Sequence, residues 1–169
     1  MKSTTRASGI TVLSSTAFVA MTFLPAVCAA EALPKQGAIE ATYVATGNDV
    51  RELKAGGDDA VYLFESTLLM TNNQKTPLMH NVTARCVEAG FSASSATGYC
   101  VYTDKDGDKF VETYSYPGGS TSGKGTLGAG TGKYKGIEGK FDWQQVQVLP
   151  ADKGSYSYIG EKMGSYRIP

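Results

Sequence analysis

The sequence contains few of the residues from which catalytic and metal centres are usually built. Its 169 residues include one histidine, His80, and no G-x-S-x-G segment that would carry a nucleophilic serine. His80 has no partner at the spacing of metal ligands. We therefore expect no catalytic triad, no metal site and no bound cofactor, and we interpret His80 as a polar residue at the start of a strand.

The chain also lacks an excess of charge of either sign. It has 16 basic and 16 acidic residues, and the basic residues form no cluster. Proteins that bind nucleic acids carry basic patches that neutralise phosphates. The composition therefore argues against nucleic acid as a partner.

A long uninterrupted apolar run is missing as well, although an apolar segment lies near the N-terminus. Lys2 and Arg6 precede this segment, which covers about residues 10–27 and contains serines and threonines. The layout is typical of a secretory signal peptide, and the polar residues make it a poor membrane span. We expect cleavage after Ala30, which leaves residues 31–169 as one exported domain, periplasmic or extracellular, with no stable membrane span.

Cysteine is scarce, but its placement is informative. Lipid attachment at Cys28 is the alternative to cleavage after Ala30, yet Val27 stands where lipoprotein signals carry a small residue. The predicted mature chain keeps Cys86 and Cys100, and an even number of cysteines in an exported protein indicates a disulfide. Two buried free thiols are the alternative.

No stretch has a convincing helical period, and short runs of β-branched and aromatic residues recur between turn residues. This pattern predicts an all-β domain with surface loops at 47–59, 71–79 and 117–122. About eight antiparallel strands are expected to form a closed barrel, because closure removes the exposed edges of the sheet. A two-sheet sandwich is the alternative. The predicted strands are 37–46, 60–70, 80–89, 97–103, 109–116, 123–128, 138–149 and 155–168.

Turn chemistry predicts the register of the middle strands. The Asp-Gly pair in TDKDGDKF (103–110) indicates a hairpin that sets Tyr102 opposite Phe110 and Cys100 opposite Glu112. Centring the preceding hairpin near residue 93 sets Cys86 opposite Cys100, at a distance that a disulfide can bridge. One face of these strands then carries Cys100, Tyr102, Phe110, Glu112, Tyr114 and Tyr116.

Strand 138–149 predicts a β-bulge. Phe141 and Trp143 stand at odd positions of the sequence, whereas Val146 and Val148 stand at even positions, so a regular strand would place the two pairs on opposite faces. A bulge near residues 144–145 would turn all four side chains inward.

Residues 127–136, LGAGTGKYKG, share glycines and a Gly-Lys pair with phosphate-binding loops. However, Tyr134 stands where such a loop has Ser or Thr, and Leu127 replaces its first glycine. No helix of a βαβ unit follows either. We therefore do not expect this segment to bind a nucleotide phosphate.

The segment GTGKYKGIEGKFDWQ (130–144) instead resembles the G-x-G-x-[FY]-x-G-x-x-G pattern of the allene oxide cyclase and dirigent barrels. The preceding GKGTLGAG fits the strand that leads into that pattern. The resemblance implies an eight-stranded antiparallel barrel with a cavity, in a superfamily in which some members cyclise or steer reactive intermediates. It transfers no catalytic residue, and we interpret the glycines as positions of close packing or positive φ.

Glu112 is the candidate for a catalytic acid or base, because the register places it on the aromatic face. The alternative is a carboxylate at a wet barrel mouth, and Glu88 and Glu40 are weaker candidates of the same kind. Tyrosines recur along the chain and can line a ligand cavity. The cavity candidates are Tyr102, Phe110, Tyr114 and Trp143.

Alternating acidic residues at Asp104, Asp106 and Asp108 also permit a weak cation site. The spacing departs from an EF-hand, in which the glycine is sixth, and fits a solvated hairpin turn better.

The leading functional hypothesis is an exported barrel that binds a small apolar or aromatic molecule or serves a structural role. The alternative is a cyclase-like or isomerase-like enzyme that uses an inward carboxylate. A homo-oligomer is compatible with either.

Overall fold

A computed structural model describes residues 33–71, 78–92 and 94–169. They form a closed antiparallel barrel in which each strand pairs with its neighbour in sequence and the last strand pairs with the first. The predicted barrel is thereby confirmed over the sandwich, and the predicted signal peptide lies outside the described residues. The strands are β1 (Gln36–Gly56), β2 (Asp59–Thr71), β3 (Val82–Phe91), β4 (Ser95–Thr103), β5 (Lys109–Pro117), β6 (Ser122–Gly130), β7 (Glu138–Leu149) and β8 (Ser155–Arg167).

Inward and outward side chains alternate along the strands, most regularly in β3 and β4. Inward residues are buried in one continuous core, as expected for a barrel of eight strands. A short 3-10 helix, Gly132–Tyr134, connects β6 to β7. Within the described ranges, no helix has the length and apolar character needed to cross a membrane.

The predicted register of the middle strands is confirmed. Tyr102 pairs with Phe110 and Cys100 pairs with Glu112 across β4 and β5. Cys86 pairs with Cys100 across β3 and β4, and the two cysteines form a disulfide. The buried free thiols of the alternative are therefore not present.

The prediction of a surface loop at 47–59 is wrong. β1 continues to Gly56 and β2 begins at Asp59, so that only residues 57–58 turn the chain. Residues 48–56 are exposed on both faces, which removes the alternation of polar and apolar residues that marks a strand. Backbone pairing with β2 extends this ribbon, with register shifts near Val50 and Ala55.

The prediction of a surface loop at 71–79 is also wrong at its end. Leu78 and Met79 are fully buried and belong to the core. Burying these two large apolar side chains contributes favourable free energy that outweighs the turn-like composition before them. Residues 72–77 lie outside the described residues. The predicted loop at 117–122 is confirmed at its centre, because residues 118–121 connect β5 to β6.

The predicted bulge in β7 is present one residue further along than expected. Gln145 pairs with Gly160 and Gln147 pairs with Ile159, so Val146 is the extra residue. The expectation that Val146 and Val148 face inward is wrong, since both are exposed. Gln145, immediately before the bulge, lines the interior in place of a valine.

The two ends of the barrel differ. The lower end, where the β4–β5 turn lies, is filled with apolar side chains: the rings of Tyr102 and Phe110 stack with centroids 4.6 Å apart, and Tyr134 packs on Phe110. The upper end, where the β3–β4 and β5–β6 turns lie, is not filled in this way. This difference places the cavity in the upper half.

Candidate functional site

The upper half of the barrel encloses a cavity of about 240 Å³. Ser120 and the exposed Thr121 of the β5–β6 turn lie at its rim, and the Cys86–Cys100 disulfide lies in its wall. Pockets for small molecules are typically apolar and aromatic, with a few polar groups. The aromatic rings that line this cavity are those of Tyr43, Phe64, Tyr114, Tyr116, Trp143, Tyr156 and Tyr158.

Glycines on neighbouring strands position several of these rings. Gly98 pairs with Tyr114, and Gly160 pairs with Tyr43. A Cβ atom at either glycine would overlap the facing tyrosine ring, which lies across the glycine backbone. In this arrangement an aromatic side chain covers a glycine on the next strand. It fixes the register of the two strands and orients the ring.

Adding one methyl group at Gly98 is expected to displace the Tyr114 ring. We predict that Gly98→Ala lowers the free energy of unfolding by about 1–3 kcal/mol, the usual cost of overpacking. Gly128→Ala is the matched control, because nothing lies within 4 Å of its Cβ position. Urea denaturation of both variants checks this, and equal stabilities would show that the Tyr114 ring is not fixed by the glycine.

The floor of the cavity is a buried ion pair between Glu112 of β5 and Lys162 of β8. The two residues are 1% and 2% exposed, respectively. Tyr102 completes the cluster: its hydroxyl donates to Glu112 Oε2 at 2.7 Å and accepts from Lys162 Nζ at 2.7 Å. Every charge in this cluster therefore has a partner, which is the condition under which charges can be buried.

Burial lowers the pKa of the Lys162 amine, and the negative charge of Glu112 acts in the opposite direction. The ammonium group also lies over aromatic faces, 4.7 Å from the ring centroid of Phe141 and 5.2 Å from that of Tyr43. Burial, followed by the charge of Glu112, raises the pKa of the Tyr102 phenol. The cluster is thus a set of proton donors and acceptors shielded from water.

A second carboxylate, Glu88 of β3, lies higher in the cavity and is 9% exposed. Its Oε2 accepts a hydrogen bond from the Tyr114 hydroxyl at 2.9 Å, and its Oε1 accepts one from Tyr116 at 2.5 Å. Burial and the interaction with Glu88 raise the pKa of both phenols. Both tyrosines therefore remain protonated donors at neutral pH.

The cavity candidates predicted from the sequence divide into two groups. Tyr114 and Trp143 line the cavity, whereas Tyr102 and Phe110 lie fully buried in the layer below it. Glu112 borders the cavity at its base and not at a wet mouth, since it is almost inaccessible to solvent.

Of the two weaker carboxylate candidates, Glu88 faces the cavity, and Glu40 does not. Glu40 lies between the buried Ile39 and Ala41 in β1, and therefore on the outward face of that strand.

Sequence reasoning missed Lys162. The signal for it was present, because Tyr158, Gly160 and Lys162 stand two residues apart in β8 and so share one face. A lysine is normally assigned to the solvent side of such a strand. Only the position of Glu112 on a strand that is not adjacent shows why a lysine is buried here.

The acidic hairpin turn is held by ion pairs. Lys133 Nζ lies 2.6 Å from Asp104 Oδ2 and 2.6 Å from Asp106 Oδ2. Asp104 Oδ1 also accepts the backbone N–H groups of Asp106 and Asp108, as in an Asx turn. The lysine of the Gly-Lys pair therefore binds the aspartates of the turn.

The single histidine, His80, is exposed beside Asn81, before β3 begins.

The glycines of residues 130–139 have structural roles, as expected. Gly132 and Gly136 have φ values of 49° and 78°, in the left-handed region that favours glycine. A Cβ atom at Gly130 would overlap the backbone of Tyr134. The segment forms the tight connection from β6 to β7.

Fold and site together define a closed β-barrel with an aromatic cavity above a buried ion pair. A scan against family models and a search of curated proteins both found no match to the chain. The resemblance of residues 130–144 to the allene oxide cyclase and dirigent barrels therefore stays a prediction.

Proposed function

We propose that this protein binds a small apolar or aromatic molecule inside the upper half of the barrel. The observation that carries the proposal is the cavity of about 240 Å³ with seven aromatic rings in its wall. A barrel with only a structural role gains nothing from an unfilled interior, because filling it with apolar side chains would add stability. Barrels of eight strands are wide enough to hold one small ligand.

We further propose that binding takes place outside the cytoplasm, in the periplasm or the cell exterior. The disulfide supports this, since disulfides persist in oxidising compartments. The signal-like N-terminal sequence agrees with it. We also propose kinship with the allene oxide cyclase and dirigent barrels, on the glycine pattern and the strand order.

Filling the cavity is expected to weaken binding. Ser66 of β2 faces the cavity and Thr67 faces the solvent, so Ser66→Leu and Thr67→Leu add similar apolar bulk on opposite faces. Titration with neopentylbenzene, a neutral aromatic probe, can be followed by the fluorescence of Trp143, the single tryptophan of the chain. We predict saturable binding that is weakened at least about tenfold by Ser66→Leu, since occupied volume excludes the ligand.

Thr67→Leu should bind the probe as the unaltered protein does. Equal affinity in both variants would show that the probe sits elsewhere, and the absence of saturable binding to the unaltered protein would contradict the proposal itself.

A second candidate is catalysis by Glu112 in a cyclase-like or isomerase-like reaction. The observation in its favour is that the buried cluster of Glu112, Lys162 and Tyr102 adjoins the cavity. Burying an ion pair is a weak source of stability, whereas acids and bases held away from water are common in active sites. Glu112 would exchange a proton with the ligand, and Lys162 would stabilise the carboxylate.

A further inference from the structure

Glu88 is a buried carboxylate that lacks a cationic partner in the part of the chain that the structure describes. The ion pairs found there involve other acidic residues. Its two oxygens accept hydrogen bonds from the phenols of Tyr114 and Tyr116. Removing a carboxylate from water without a nearby positive charge is costly, so this position favours the approach of a cation.

The two tyrosines that donate to Glu88 form a box-like arrangement with Trp143, which packs against both of their rings. The rings of Tyr114 and Tyr116 are nearly parallel, with planes 4° apart and centroids 6.5 Å apart. Trp143 is perpendicular to both, at 6.3 Å from Tyr114 and 5.2 Å from Tyr116. The faces of such rings carry negative potential and attract cations, most strongly at tryptophan.

The charges of the cavity wall also favour a positively charged ligand. Among its lining residues are the charged side chains of Glu88, Glu112 and Lys162. Because Lys162 is paired with Glu112, Glu88 has no counter-charge among them. An inorganic cation would need several oxygen ligands around it. In the described ranges, no three His, Cys, Asp or Glu side chains cluster in a way that would hold a metal ion.

Resting on the proposed function, we infer that the cavity binds an organic ammonium ion. The cationic nitrogen lies beside Glu88, against the rings of Tyr114, Tyr116 and Trp143. The apolar body of the ligand fills the remaining space towards Phe64 and the β8 tyrosines. An alkylated ammonium suits this site because its surface is apolar and its charge is spread over its methyl groups.

A pair of ligands that differ only in charge tests the inference. Benzyltrimethylammonium and neopentylbenzene have the same shape, with a nitrogen cation in one and a neutral carbon in the other. Trp143 fluorescence reports on both, as this tryptophan forms part of the box. We expect the cation to bind about tenfold more tightly than its neutral counterpart, which corresponds to a desolvated cation–π and carboxylate contact.

Two variants isolate the contribution of the buried charge. Glu88→Gln keeps the shape and should weaken binding of the cation about tenfold, while the affinity for neopentylbenzene changes less than about twofold. Glu65→Gln removes the same charge from the exposed outer face of β2 and should leave both affinities unchanged.

Each result decides a specific point. Equal binding of both compounds by the unaltered protein, or a cation preference that survives Glu88→Gln, would overturn the ammonium inference and leave the binding proposal standing. Saturable binding of neither compound would remove both. The comparison in the unaltered protein does not depend on whether Glu88→Gln folds.

Discussion

Replacing Lys162 by methionine is expected to lower the free energy of unfolding by about 3–5 kcal/mol. Methionine has nearly the volume of the lysine stem, so packing changes little. The loss arises because Glu112, 1% exposed, remains buried without its cation. The hydroxyl of Tyr102 still donates to it, but one neutral donor does not replace an ammonium group.

Two further variants show whether burial is the cause. Lys124→Met removes the lysine of an exposed ion pair with Asp142 and should cost at most about 1 kcal/mol. The double variant Lys162→Met with Glu112→Leu should regain most of the lost stability, since no unpaired charge is left. Urea denaturation measures the free energy of unfolding of the two single variants and the double variant. A loss at Lys162 no larger than that at Lys124 would contradict a buried, coupled pair.

The same cluster bears on the catalytic alternative. Glu112→Gln keeps the shape of the side chain but removes its capacity to accept a proton. A folded Glu112→Gln protein that still binds ligand and retains any turnover found for the unaltered protein would exclude Glu112 as the acid or base.

Raising the pH above 10 is expected to destabilise the barrel steeply. Burial is the main factor that raises the pKa of Tyr43 and Tyr102 above the ordinary value of 10.0, and that of Tyr158 to about 12. The folded protein keeps these phenols protonated while the unfolded chain ionises. Their contribution is therefore complete below pH 10 and is lost as the pH rises further.

Each such tyrosine lowers the free energy of unfolding by about 1.4 kcal/mol per pH unit above 10. Tyr43 and Tyr102 together therefore lower it by about 3 kcal/mol per unit. The contribution of Lys162 to the pH dependence has the opposite sign. Because its pKa is lowered in the folded protein, it makes stability rise with pH, but only up to pH 10.5, the ordinary pKa of a lysine. Above that value it contributes no further change and cannot offset the tyrosines.

Urea denaturation at pH 9, 10 and 11, with phenolate absorbance recorded in parallel, measures this slope. Tyr43→Phe should reduce the slope by about 1.4 kcal/mol per pH unit. Tyr99→Phe, on the outer surface with 54% exposure, is the control. Identical slopes in both variants would show that Tyr43 ionises in the folded protein and does not belong to a dry interior.

Local features made the middle of the barrel predictable. An Asp-Gly turn and two cysteines at a matching separation indicated one register for β3, β4 and β5, and alternation then placed Glu112 inside. These signals act over fewer than about twenty residues, the range over which turn type and side-chain period determine pairing. Of the upper cavity candidates, Tyr114 followed from the same alternation, and Trp143 followed from the alternation in β7.

The remaining features depend on contacts between distant parts of the chain. Lys162 is buried because Glu112, fifty residues earlier, faces it across the interior. Leu78 and Met79 are buried because the lower end of the barrel needs apolar cover, although the residues before them resemble a loop. In the long β1–β2 ribbon, residues 48–56 bury neither face, so only the backbone pairing defines this part of β1. Periodicity does not report such contacts.

The most direct test of the central claim, that the cavity holds a ligand, is the NMR signal of the single indole N–H. In a ¹⁵N-labelled protein, Trp143 gives one such signal, from a side chain in the cavity wall. On titration with benzyltrimethylammonium, we predict a saturable shift of this signal in the unaltered protein and little shift in Ser66→Leu. An unmoved indole signal, with shifts confined to outward residues such as Val87 and Tyr99, would contradict binding inside the barrel.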